Sequence, residues 1–124
     1  EATARLRTLA EAGVTFALHS DFNLVVGPMA PLTAAWIAVN RIAADDQTVM
    51  APGECISVDR ALRAVTIDAA FVLRRDHEIG SLEVGKLADL AVLDNDPYAV
   101  APGALRDIAV KGTILSGKPH SPND

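Results

Sequence analysis

The fold class follows from one stretch near the N-terminus, Gly13-Val14-Thr15-Phe16-Ala17-Leu18-His19-Ser20-Asp21. Residues 14–18 are a short run of mostly apolar, β-prone residues without polar alternation, between a glycine and three polar residues. Such a run is typical of a strand buried on both faces, as in a parallel sheet. The residues before it, 2–12, predict a helix that ends just before the glycine. Helix, glycine, buried strand and polar loop together predict an α/β protein.

Two further helices are predicted in the same half of the chain. One covers residues 32–44, and a second covers residues 58–75 with Ser57 as its N-cap. The apolar face of the first contains Leu32, Ala35, Trp36, Val39 and Ile42. Because a lone buried parallel strand has no partner in this half, we expect the chain to be the end of a larger barrel or sheet.

The C-terminal half is predicted to be antiparallel β structure. Short β-prone runs occupy residues 90–93, 108–110 and 113–115, and Lys111-Gly112 is predicted as a hairpin turn between the last two. Residues 118–124 contain two prolines and are predicted to be a flexible, frayed tail. The chain therefore divides into one strand with helices over residues 1–78 and two or three strands over residues 79–117.

Length and composition exclude several classes of protein. The chain has 124 residues, half of them hydrophobic, and a net charge of −5. It is too short for a complete TIM-barrel enzyme of roughly 250 residues and too apolar for a disordered chain. Its acidity argues against nucleic-acid binding through phosphate neutralisation. The longest uncharged stretch, residues 22–40, is interrupted by two prolines and a glycine, which makes it a poor membrane span.

The N-terminal residues and the single cysteine bear on the cellular location of the protein and on whether the chain is complete. The chain does not begin with Met, so we expect it to be a piece of a longer protein. Charged residues at Arg5, Arg7 and Glu11 argue against a secretory signal in these residues. Cys55 has no partner for an internal disulfide, which favours a cytoplasmic location.

Asp21 is the first candidate for catalysis. It directly follows the predicted buried strand, at the position where α/β enzymes build their active sites. A carboxylate there can bind a divalent metal and accept a proton from metal-bound water. The alternative is a loop aspartate that caps the next segment. His19, two residues earlier, would point the same way, but a structural or supporting role is favoured over metal ligation.

Other polar motifs are interpreted as structural. Ser20 is adjacent to His19 and would point to the opposite side of the strand, so the two do not suit a nucleophile and its base. Cys55 has no nearby His in the sequence and is interpreted as an ordinary thiol. The Gly80–Lys86 stretch superficially resembles a phosphate-binding loop, but Leu87 stands where that motif needs Ser or Thr.

A family resemblance emerges from the same glycine-rich stretch. Gly80-Ser81-Leu82-Glu83-Val84-Gly85-Lys86-Leu87-Ala88-Asp89-Leu90 resembles the C-terminal signature of the metal-dependent amidohydrolase superfamily. Residues 57–70 resemble the helix before that signature, residues 110–118 the closing hairpin, and residues 13–21 the last barrel strand. The order and spacing resemble the amidohydrolase 3 branch, which contains YtcJ-like and N-acyl-amino-acid deacylase-like proteins. The resemblance covers about residues 13 to 118.

The resemblance implies a composite fold. Residues 1–78 would be the last strand and helices of a distorted (β/α)8, TIM-like barrel, and residues 79–117 the C-terminal strands of a small β-sandwich. Asp21 would contact the metal and move protons between the attacking water and the leaving amine. The family's other metal ligands, a His-x-His and further His or Lys residues, belong to earlier strands and are absent from this sequence.

The expected function is that of a parent hydrolase. It would cleave carbon–nitrogen bonds other than peptide bonds in a small amide-type substrate, with metal-activated water and zinc as the expected metal. The 124-residue chain alone is expected to be inactive, to bind zinc poorly, and to self-associate by strand pairing or by burying its Trp36 and Val65 faces. We expect no nucleic-acid or membrane partner. The alternatives are a non-catalytic structural or assembly module and a stand-alone small α/β binding domain.

Overall fold

A computed structural model of the chain describes residues 4–19, 30–43 and 47–121. Within these ranges, short helices precede a three-stranded antiparallel sheet, and none of the helices is long and apolar enough to cross a membrane. Short 3-10 segments, here called 3-10 turns, lie at Pro52–Glu54 and Pro102–Asp107. The helices are α1 (Leu6–Glu11), α2 (Pro31–Asn40), α3 (Val58–Ala64) and α4 (Ile67–Val72), and the strands are β1 (Leu90–Leu93), β2 (Val110–Leu115) and β3 (Lys118–His120).

Helix α2 lies at the centre of the hydrophobic core. Its buried residues are mostly alanines, which allow α3 and the 3-10 turn at Pro102–Asp107 to pack closely against it. Trp36 is 4% exposed, and its indole N–H donates to the carbonyl oxygen of Gly103 at 2.8 Å. Leu105, from the same 3-10 turn, is fully buried in this cluster. Trp36 therefore belongs to the core of the described residues, and self-association through its face stays a prediction.

Helix α2 ends at Asn40, four residues before the predicted end. Arg41 takes a left-handed conformation (φ 53°), and its backbone N–H donates to the carbonyl of Ile37 at 2.8 Å. The Arg41 side chain is buried and donates to the carbonyls of Met50 and Ala4, at 3.0 and 3.2 Å. The helix stops here because this arginine ties the chain on either side of α2 together.

The helix predicted over residues 58–75 is broken into α3 and α4. Ser57 caps α3 as predicted, since its hydroxyl accepts from the Arg60 backbone N–H at 3.1 Å. The break falls at Thr66, whose backbone leaves the helical region (φ −126°, ψ −101°) and whose hydroxyl donates to the Leu62 carbonyl at 2.7 Å. Residues 65–67 are all β-branched, and such residues weaken a helix by crowding the preceding turn.

The sheet has the order β1-β2-β3, with each neighbouring pair antiparallel. The strand predicted over residues 90–93 is confirmed as β1. Lys111-Gly112 lies inside β2 instead of forming a turn; the hairpin turn is Ser116-Gly117, where both residues have positive φ (50° and 77°). Lys118–His120 forms β3, so the prediction of a frayed tail is wrong for these three residues.

The strand predicted over residues 14–18 is not formed. Residues 14–19 have no strand pairing with any described residue, and Val14 is 43% exposed. A parallel strand needs a neighbouring strand for its backbone hydrogen bonds, and the described sheet lies elsewhere in the chain. The described residues thus form a small α/β unit with an antiparallel sheet, and the barrel and sandwich remain predictions.

Candidate functional site

The predicted catalytic residue, Asp21, lies outside the described residues, but the segment that leads to it is described. Residues 14–19 cross α3, and the Leu18 backbone N–H donates to the carbonyl of Ala64, the last residue of that helix, at 3.0 Å. His19 follows directly and is exposed. The segment is therefore fixed to the end of α3 at Leu18, three residues before Asp21.

Arg60 holds the other end of this segment. One guanidinium nitrogen, Nη2, donates to the carbonyl oxygen of Val14 at 3.1 Å. The guanidinium carbon lies 4.2 Å from the centroid of the Phe16 ring, in a cation–π contact. Arg60 and Ala64 are one helical turn apart, so a single face of α3 carries both attachments.

Asp68, on α4, fixes Arg60 in turn. Its side chain is 9% exposed; one carboxylate oxygen forms an ion pair with Arg60 Nη1, and the other lies 3.4 Å from Arg63 Nη2. Two cations thus compensate one buried carboxylate, as burial of a charge requires. This cluster of Asp68 with Arg60 and Arg63 is absent from the predictions made from the sequence, although the sequence contains a signal for it. Asp68 lies three and seven residues after Val65 and Ala61, so helical spacing places this carboxylate on the same side as two apolar residues.

The stretch that carries the family signature connects α4 to the sheet. Gly80 packs against the start of α4, the Leu87 backbone N–H donates to the Glu78 carbonyl at 2.8 Å, and Asp89 accepts from the Ser116 backbone N–H at 2.6 Å. Most of the signature thus holds turns in place.

Lys86 makes its polar contacts within the signature stretch itself. Its side chain is only 12% exposed, and its ammonium donates to the Ser81 hydroxyl at 2.6 Å and lies 3.4 Å from Glu83. The Ser81 hydroxyl and the Lys86 charge together lower the pKa of Glu83. The Lys86 ammonium is therefore paired with Ser81 and Glu83 of the same stretch.

The described residues do not fit a complete metal site. Among them, no three His, Cys, Asp or Glu side chains come together in an arrangement that could hold a metal ion. Cys55 is a free, half-buried thiol beside Ser57, and His120 lies on β3. An open catalytic site needs about three protein ligands, so any metal would require ligands beyond the described residues.

Comparison with known proteins gives matches along nearly the whole chain. The model of the amidohydrolase family matches residues 1–120. The N-substituted formamide deformylase of Arthrobacter pascens is 38% identical over 112 residues, which cover 90% of this chain and 20% of that protein. An imidazolonepropionase of Bacteroides fragilis is 33% identical, over 94% of this chain and 25% of its own length.

A third relative comes from Bacillus subtilis and carries the name amidohydrolase YtcJ. It is 29% identical, over 90% of this chain and 21% of its own length. The chain thus spans a fifth to a quarter of the length of these relatives.

Proposed function

Because the chain belongs to the amidohydrolase family, with residues 1–120 matching the family model, we propose that the whole protein hydrolyses carbon–nitrogen bonds other than peptide bonds. This membership confirms the resemblance inferred from Gly80–Leu90. The family match carries the proposal, and the hydrolase names of the relatives support it.

A small amide is the proposed substrate class. The relative at 38% identity is named for removing the formyl group of N-substituted formamides, and we extend that bond type to this protein as a first substrate to test. Imidazolonepropionase, the second relative, gives a cyclic amide as the next substrate to test.

Asp21 is the proposed catalytic base. Its carboxylate would accept a proton from the attacking water and return it to the leaving amine, a role suited to a carboxylate. The support for this assignment is its place in the sequence, two residues after the segment 14–19 that Arg60 and Ala64 hold on α3.

A divalent metal, with zinc as our proposal, is the cofactor that the family implies. The described residues alone do not supply its ligand set. We therefore propose that the 124-residue chain by itself is inactive and does not hold zinc stoichiometrically. Mass spectrometry under native conditions and an amide-hydrolysis assay of the isolated chain test this statement.

The two halves of the chain are proposed to belong to different parts of the whole protein. Helices occupy the described chain up to Val72, and the antiparallel strands begin at Leu90. We propose that residues 1–78 supply the last strand and helices of the barrel and residues 79–117 supply strands of the sandwich.

The test uses the whole protein that contains these residues, with N-butylformamide as the probe and release of formate and butylamine as the readout. Asp21→Asn keeps the shape of the side chain and removes its basicity, so we expect kcat to fall by at least about 100-fold. Asp107→Asn, at an exposed position of the 3-10 turn, is the control and should keep the wild-type kcat. Hydrolysis at the wild-type rate by Asp21→Asn would overturn the assignment. Failure of the wild type on formamides and cyclic amides alike would overturn the proposed function.

A further inference from the structure

We propose that Arg60 is a positioning residue, which fixes the course of residues 14–19, the segment that precedes Asp21 in the sequence. The expected effect of Arg60 on catalysis rests on the proposed function. The contacts that carry it all lie within the described residues.

The attachments at the two ends of residues 14–19 lie at different spacings on the segment and on α3. Arg60 and Ala64 are one helical turn apart, which is about 6 Å along α3. Val14 and Leu18, which they contact, are separated by four residues that can span up to about 13 Å. Because the segment is longer than this stretch of α3, backbone contact at both ends is not possible. The Ala64 backbone contacts Leu18, and the long side chain of Arg60 reaches Val14.

The Arg60 guanidinium makes three different contacts. The group donates to the Val14 carbonyl, pairs with the buried Asp68 carboxylate and stacks on the Phe16 ring at the same time. A planar fork of N–H donors with a π face can make all three contacts, whereas an ammonium is a point charge without that geometry. The arrangement is thus specific to arginine.

Arg60 and its neighbour Arg63 differ in their contacts. Arg63 lies 3.4 Å from the same Asp68 carboxylate, but its side chain is 52% exposed and it contacts neither Val14 nor Phe16 in the structure as described. Both arginines compensate the charge of Asp68, and Arg60 in addition reaches the segment. Arg63 therefore offers a matched control for the electrostatic part of the role.

The kinetic test compares Arg60→Met with Arg63→Met in the whole protein that contains this chain, with N-butylformamide as the substrate. Because small misplacements of a reacting group cost up to about 100-fold in rate, we expect Arg60→Met to lower kcat by about 10- to 100-fold with KM nearly unchanged. Arg63→Met should leave kcat close to wild type. If Arg60→Met does not fold, Arg60→Lys replaces it and should still lower kcat by about tenfold, since it keeps the charge but loses the fork.

A second readout does not depend on activity. Hydrogen exchange of the Leu18 amide, which donates to Ala64, should accelerate in Arg60→Met and stay at the wild-type rate in Arg63→Met. Equal kcat losses in the two variants, or unchanged Leu18 exchange in Arg60→Met, would overturn the inference. If the wild type hydrolyses no amide, the proposed function fails, and the exchange measurement still decides whether Arg60 positions the segment.

Discussion

Gly80 lies directly against Ala70, so close that a Cβ added at Gly80 would be 2.7 Å from the Ala70 Cβ and 2.9 Å from the Ile67 Cα. Its φ is +92°, in the left-handed region that favours glycine. The turn that opens the family signature is therefore seated on the first residues of α4, and both the space and the backbone conformation require glycine.

Gly80→Ala is expected to lower the free energy of unfolding by about 3 kcal/mol, because it adds a steric clash to the strain of a left-handed residue. Urea unfolding of the variant checks this value. Gly85→Ala is the matched control, since Gly85 has a similar φ of +96° but nothing within 4 Å of an added Cβ. Gly85→Ala should cost only the conformational part, about 1 kcal/mol. Equal losses at the two positions would contradict the role assigned to close packing.

Asp68→Asn should destabilise the chain by about 3 kcal/mol, since it leaves two arginines around a buried site without their carboxylate. Thermal and urea unfolding both measure the effect. Asp59→Asn, on the exposed side of α3, is the comparison and should cost well under about 1 kcal/mol. A wild-type stability for Asp68→Asn would show that the ion pair contributes little.

Ser57→Ala should cost about 1 kcal/mol, because the first turn of α3 loses the hydroxyl that accepts from the Arg60 N–H. Ser57→Asp places another good N-cap at the same position and should restore most of the stability. The comparison requires only equilibrium unfolding of the two variants. A Ser57→Asp variant as unstable as Ser57→Ala would argue against capping as the cause.

Glu54 links stability to pH. The Thr8 hydroxyl donates to its carboxylate at 2.7 Å and the Thr8 backbone N–H donates at 2.9 Å, and these bonds lower the pKa of Glu54 below its ordinary value of about 4.5. A carboxylate whose pKa is lowered in the folded state stabilises that state. This contribution is complete when the pH is above the ordinary pKa, and it is lost as the pH falls through the lowered pKa.

Glu54→Gln should therefore be less stable than wild type at neutral pH, and the difference should shrink in acid. Urea unfolding at several pH values measures it. The exposed Glu11 accepts from Arg7 on its own helix, so Glu11→Gln tests whether any surface carboxylate gives the same result. A wild-type pH profile for Glu54→Gln would contradict the assignment.

Self-association by strand pairing remains a prediction for the isolated chain. β1 is an edge of the described sheet, and Val92 on it is 47% exposed. Unpaired edge strands associate with one another, so the sedimentation coefficient should rise with protein concentration. Val92→Lys should suppress the rise, whereas Leu82→Lys, in an exposed turn, should not. A monomer at every concentration would contradict strand pairing.

Local patterns predicted several elements correctly. Ser57 as an N-cap and the strand at residues 90–93 depend on near neighbours in sequence, and each is confirmed. Gly80 and Gly85 of the signature both have positive φ, a conformation that glycine adopts without strain.

Long-range contacts explain the failures. Arg41 ends α2 early because its side chain reaches carbonyls at Ala4 and Met50, which no helical periodicity reveals. The hairpin turn was predicted at Lys111-Gly112 from glycine propensity, but pairing with β1 extends β2 through that point. For the site, the sequence identifies Asp21 by position and by resemblance, while Arg60 and Asp68 become recognisable only once α3 and α4 are folded.

The burial of Leu105 beside Trp36 has a consequence for biosynthesis. Helix α2 leaves the ribosome long before the 3-10 turn at Pro102–Asp107 that covers it, and synthesis proceeds at about 5–20 residues per second. For several seconds the indole and the alanine face of α2 have no cover from this turn. Nascent chains are therefore most exposed to aggregation or chaperone capture in that interval, and the core closes only when almost the entire described sequence has been translated.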